Sequence, residues 1–171
     1  MVNMGNQEAH LQAITDMLEM IDKVTNDNRC FASLLLSKGA LWTAAEKPEE
    51  FERLQSRQCF GNAQSQVLKD YRKGRALFTY VEGYACSGSL GFPFPTHHGW
   101  LVDKNGTVID QTWENPKEST YFGIPINTSY LVEKEKKFDV YASVFDNYLD
   151  KWALLKDEDL LNFAIMKWNS N

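Results

Sequence analysis

No stretch of this 171-residue chain is apolar for long enough to cross a membrane; the longest candidate, residues 31–36, is too short by a wide margin. The opening Met1-Val2-Asn3-Met4-Gly5-Asn6-Gln7-Glu8 lacks the basic start and apolar stretch of a secretory signal. Cysteine is sparse and odd in number, with Cys30, Cys59 and Cys86 as the whole set and no CxxC pair. A disulfide framework and a structural zinc site are therefore not expected, and a reducing cytoplasm is the expected compartment. Positive charge is also short: 18 Lys and Arg against 23 Asp and Glu leave a net charge of −5. That excludes binding through a bulk positive field, so neither a nucleic-acid nor a membrane partner is expected. Repeats, low-complexity tracts and long linkers are missing as well.

What is present suffices for a core. Hydrophobic residues make up 43% of the chain, with five Trp, seven Tyr and ten Phe, so the expectation is a single domain over 1–171. Residues 7–24 carry Leu11, Ile14, Met17, Leu18, Ile21 and Val24 at helical spacing. Residues 30–42 are apolar and ambiguous, with Gly39 ending a short helix. Lys47-Pro48-Glu49-Glu50-Phe51 reads as a helix start, and Ser56 as the cap of a helix from about 57 to 72. Residues 77–85 read as a strand and 87–96 as a loop. Two further strands, 99–102 and 107–109, flank Asp103-Lys104-Asn105-Gly106, a hairpin signal. Residues 121–125 are extended, 127–135 a helix capped by Asn127 or Thr128, and 138–141 a short strand. Asp157 caps a last helix carrying Leu160, Leu161, Phe163, Ala164, Ile165 and Trp168. The order of helices, a small antiparallel sheet and helices gives an α+β fold.

Three residues carry chemistry. Cys59 lies near a helix start, His98 opens a strand, and Asp110 closes the next one. A helix N-terminus favours a thiolate through its unpaired N–H groups. An imidazole beside it takes and returns the proton, and a carboxylate on the other ring nitrogen fixes the tautomer. Ser56 as cap would make Cys59 the third helical residue. A two-residue Asn105-Gly106 loop would turn His98 and Asp110 to opposite faces. A three-residue Lys104-Asn105-Gly106 loop instead pairs Asp103 with Thr107 and sets Trp100 opposite Asp110. His98 is then diagonally across on the same side, with Cα atoms ~7–8 Å apart.

Gln58-Cys59-Phe60 at a helix start, then His98-Gly99-Trp100, then Val108-Ile109-Asp110-Gln111-Thr112, resembles the transglutaminase-like branch of the papain-like cysteine enzymes. That branch shows Gly-Gln-Cys-Trp, His-x-Trp and Asp-x-Thr in this order. Here Arg57 stands in place of the Gly and Phe60 in place of the Trp. The chain also looks like small bacterial and phage proteins of no assigned activity.

The resemblance implies a papain-like α+β fold with the nucleophile helix packed on the sheet. Cys59 is then the nucleophile, His98 the base and acid, and Asp110 the orienting carboxylate. The expected reaction is acyl transfer or hydrolysis at an amide or isopeptide bond of a peptide or protein, through a thioester, with no cofactor. Trp100 matches an accompanying position and is a candidate substrate contact. The alternative is an idle domain of the same shape that binds a partner or host protein.

Other residues have plainer readings beside functional ones. Glu82 lies in an aromatic row with Phe78, Tyr80 and Tyr84, as a substrate contact, or as a sheet edge or a buried pair with a Lys or Arg. Asn62 either orients a loop or bonds substrate, and Gln58 is a candidate near the oxyanion. Cys30 reads as core and Cys86 as a loop residue and minor rival nucleophile. His10 reads as surface, residues 133–137 as a solvated helix end, and Trp152 and Trp168 as core. A metal held by Cys59, His97, His98 and Asp110 is opposed by strand alternation, which turns the two histidines apart.

Overall fold

The apolar spacing near the start closes into α1 (Met4–Thr25), which buries Ile14 and Leu18. The fold is given by a computed structural model that describes residues 4–27, 29–49, 51–138 and 142–168. The ambiguous apolar run resolves into two elements. They are α2 (Phe31–Lys38), stopped at Gly39, and β1 (Ala40–Ala44). The long second helix is α3 (Cys59–Arg72), packed by Ala63, Val67 and Leu68. Then come β2 (Thr79–Cys86), β3 (Pro95–Val102), β4 (Thr107–Ile109) and β5 (Thr120–Ile126). The chain continues into α4 (Thr128–Phe138), the short α5 (Ala153–Lys156) and α6 (Glu158–Ala164). Asn127 caps α4 by accepting from Ser129 N–H, and Asp157 caps α6 by accepting from Leu160 N–H, both at 3.0 Å.

The strands go beyond the small antiparallel sheet expected. They close into a five-stranded barrel in the order β1-β4-β3-β2-β5, with β5 returning to β1 and the β1–β4 pair parallel. Closure is narrow where β2 meets β5. A Cβ on Gly83 would stand 2.4 Å from the Gly123 Cα, so only glycine fits there. Alternation then sorts side chains. Trp42, Val81, Ala85, Trp100, Val102, Val108 and Tyr121 fill the interior. Tyr80, Leu101, Ile124 and Ile126 face outward under the helices.

The β3–β4 turn has the three-residue form. Asp103 N–H donates to Thr107 O and Gly106 N–H to Asp103 O, each at 3.0 Å, with Gly106 at φ 79°. Leu101 opposes Ile109 and Val102 opposes Val108. Trp100 therefore comes opposite Asp110. Strand β4 ends at Ile109, one residue before Asp110, and α3 packs against β3 with Phe60, at its start, beside Gly99.

Several local expectations are corrected. The described residues of 47–58 are not helical. Leu54 N–H is claimed by Gln111 O at 2.7 Å and Gln55 O by the Asn62 amide at 2.8 Å, which outcompete a helix nucleated at Pro48. Strand β3 begins at Pro95, so His98 is its fourth residue, and Pro95 takes the first position that tolerates its missing N–H. Helix α6 stops at Ala164. Ile165 bridges to Ile126, and the Trp168 ring meets Trp42 edge-on at 5.0 Å. Trp152 is no core residue; it is exposed in a left-handed turn ahead of α5. His10 is buried, its Nδ1 3.2 Å from Thr120 Oγ1. Lys134 is buried within the charged run and donates to the carbonyls of Ala142 and Ser143. The strand expected at 138–141 falls largely on residues 139–141, outside the described residues, while Phe138 ends α4. Among the described residues no helix is long and apolar enough to cross a membrane.

Candidate active site

Cys59 is the first residue of α3, not the third. Arg57 takes a left-handed φ of 63°, so the helix cannot start at Ser56; Gln58 becomes the cap, and no side chain bonds the helix end. Gln58 O accepts the Asn62 N–H at 2.7 Å, the first helical bond. The N–H groups of Cys59, Phe60 and Gly61 therefore have no acceptor within the helix. The thiol is half-buried and near enough to the His98 ring to favour its charged form.

His98 is buried, with Nε2 2.7 Å from Asp110 Oδ2. Nδ1 is the ring nitrogen left for Cys59. Burial opposes charge on this ring, but the carboxylate charge and hydrogen bond of Asp110, joined by Cys59, hold its pKa up at about 9. The ring stacks on Trp113 at 4.1 Å, which covers one of its faces.

Asp110 is equally buried and has four partners. Oδ1 accepts from Thr112 N–H at 2.7 Å and Trp113 N–H at 3.2 Å, the local turn typical of an Asp two and three residues upstream. Oδ2 accepts from the Tyr121 hydroxyl at 3.0 Å and faces His98. Burial raises the carboxyl pKa, yet the imidazolium and these donors bring it below its ordinary value.

Asn62 closes a ring of contacts. Its amide donates to Gln55 O at 2.8 Å and to Thr112 Oγ1 at 2.9 Å. Helix α3 thus touches the Asp110 turn through Asn62 and the His98 ring through Cys59, three residues earlier. Both donors of Asn62 are spent on the protein, as its reading as a residue that orients a loop expects. Asn62→Ala removes both bonds and leaves Gln55 O short of a donor. The expected result is a loss of about 1–3 kcal/mol in denaturant unfolding.

The other candidates separate from the thiol. Trp100 is buried inside the barrel with its ring on Tyr121 at 5.2 Å, so it supports the His98 layer and cannot touch substrate. Gln58 is exposed beside the nucleophile.

Glu82 is fully buried and accepts from Tyr80 OH (2.7 Å), Val144 N–H (2.7 Å), Phe145 N–H (3.3 Å) and the Ser143 hydroxyl, and meets His97 Nε2 at 3.0 Å. Burial alone would raise its pKa; the His97, Ser143 and Val144 contacts bring it down to about 2. It anchors the segment after α4 and has no acceptor capacity left for a substrate.

His97 points away from His98 to the outer face, as alternation requires, so the four-residue metal cluster does not assemble. Among the described residues no group of three or more His, Cys, Asp or Glu is placed to hold a metal ion. Cys86 is no loop residue but the buried end of β2, and burial pushes its thiol up to about 11. Cys30 is the half-buried cap of α2 rather than core.

Sequence reasoning missed Tyr121 and Trp113. Trp113 is three residues past Asp110 in the same turn, a usable signal. Tyr121 reaches the site only through barrel closure, which no local pattern announces. No family model matches the chain, and the searches of curated proteins and of solved structures return no match.

Proposed function

We propose that the chain is a thiol-dependent enzyme with a papain-like, transglutaminase-like core, acting on an amide or isopeptide bond of a peptide or protein. The observation that carries this reading is the alignment of Cys59, at the head of α3, with a His98 ring whose other nitrogen meets buried Asp110 at 2.7 Å. Arg57 adds support. It stands where the resembled pattern has Gly, and its φ of 63° is a conformation glycine adopts freely.

With the pair's proton on His98, Cys59 attacks the carbonyl carbon as the thiolate, and the free N–H groups at the start of α3 receive the oxyanion. His98, charged at neutral pH, gives its proton to the leaving nitrogen as the C–N bond breaks. Water then attacks the thioester carbon, His98 takes its proton, and the acid leaves as the thiolate beside the charged ring is restored. Asp110 keeps Nε2 engaged throughout, so Nδ1 does the proton work.

Mass spectrometry of cell-extract proteins incubated with the wild type and with Cys59→Ala tests the reading. New termini, or amides converted to acids, are expected with the wild type alone. Identical profiles would contradict it.

A further inference from the structure

A cavity of about 470 Å³ opens between the ends of α1 and α5, the start of α2 and the outer face of β2 and β3. It holds a thiol and a carboxylate-backed imidazole that the mechanism above does not use. Cys30 is there as the cap of α2. Its sulfur faces Ser33 N–H at 3.4 Å, Ser33 Oγ at 3.1 Å and the Thr25 hydroxyl at 3.5 Å. His97 lines the same space, with Nε2 committed to Glu82, which leaves Nδ1 as the atom able to carry a proton.

The lining specifies what fits. Phe31, Phe145, Tyr84 and His97 form a continuous aromatic floor, with Phe31 on Phe145 at 4.5 Å and Tyr84 on His97 at 5.3 Å. Asp27 and Asp146 are matched by Arg29 and Lys156, so the rim favours neither sign of ligand charge. The volume is that of a site for a small organic molecule.

We propose that this cavity is a second ligand site, which takes a flat, uncharged aromatic molecule bearing an α,β-unsaturated carbonyl and bonds it to Cys30. The sulfur adds to the β-carbon and the C=C π electrons pass to the carbonyl as an enolate. The proton lost by the thiol travels on His97 to the α-carbon. The net change is addition of S–H across C=C, and no oxidant or further reactant is consumed. The site stands independently of Cys59.

The test uses the full chain carrying Cys59→Ala, with N-phenylmaleimide and N-ethylmaleimide as probes and peptide mapping to separate Cys30 from Cys86. The rate at Cys30 is expected to saturate with N-phenylmaleimide. The phenyl-over-ethyl preference should exceed that of glutathione by about tenfold, the effect of burying one ring. His97→Gln should lower the limiting rate several-fold and, because it removes a ring from the aromatic floor, also raise the half-saturating concentration. A rate linear in reagent with the preference of a free thiol would overturn the site. A limiting rate unmoved in His97→Gln would overturn the proton-carrying role.

Discussion

Asp110→Asn should cut turnover by a factor on the order of 10²–10⁴ while the chain stays folded, because the amide keeps the shape of the carboxylate and loses its charge. The companion readout needs no substrate. In the wild type the His98 ring is expected to titrate near 9 by NMR, with burial opposed by the Asp110 carboxylate and the Cys59 contact. In Asp110→Asn that midpoint falls toward or below the ordinary 6.5, because burial is no longer offset. Stability follows with a defined sign. The folded pKa of His98 lies above its unfolded value, so its contribution is complete below about 6.5 and disappears as pH rises through about 9. The variant should lose that alkaline step in a plot of unfolding free energy against pH. An unmoved His98 midpoint would mean that Asp110 does not control the ring.

Glu82→Ala is expected to destabilise the fold by about 3–5 kcal/mol, read by denaturant unfolding. It strips a buried carboxylate from His97, Tyr80, Ser143, Val144 and Phe145 at once. Glu82→Gln retains the volume and part of the bonding and should lose less. The folded pKa of Glu82, about 2, is below the ordinary 4.5. Its stabilisation is therefore present above about pH 4.5 and is lost as pH falls toward 2. Glu82→Gln should flatten the acid limb of the stability curve between those values, while the alkaline step from His98 persists. If the acid limb keeps its slope, the anchor role is wrong.

The site was legible where local chemistry decides the geometry. Lys104-Asn105-Gly106 suits a three-residue turn with Gly106 at positive φ, and the choice between this turn and a two-residue one sets whether His98 and Asp110 share a face. The same logic separates His97 from His98. Cys59 was legible as a helix-start thiol, but not its place as first residue, because that depends on Arg57 adopting a left-handed backbone that the residue type disfavours. Glu82 and Asn62 stayed open between two readings because polar side chains near a motif look the same in sequence whether their partners are protein or substrate. Here the partners come from residues 143–145 and from Gln55 and Thr112. Barrel closure was not legible at all. It needs β1 to pair in parallel with β4 and β5 to insert between β1 and β2, contacts far apart in the chain.

The most direct test of the Cys59–His98 pairing is the alkylation rate of each cysteine by iodoacetamide at neutral pH, resolved by peptide mapping, in the wild type and in His98→Ala. The pairing predicts that Cys59 outpaces buried Cys86, and that its rate drops about tenfold or more when the imidazole is removed, while Cys30 and Cys86 keep theirs. A Cys59 rate equal to that of a free thiol and unchanged in His98→Ala would contradict it.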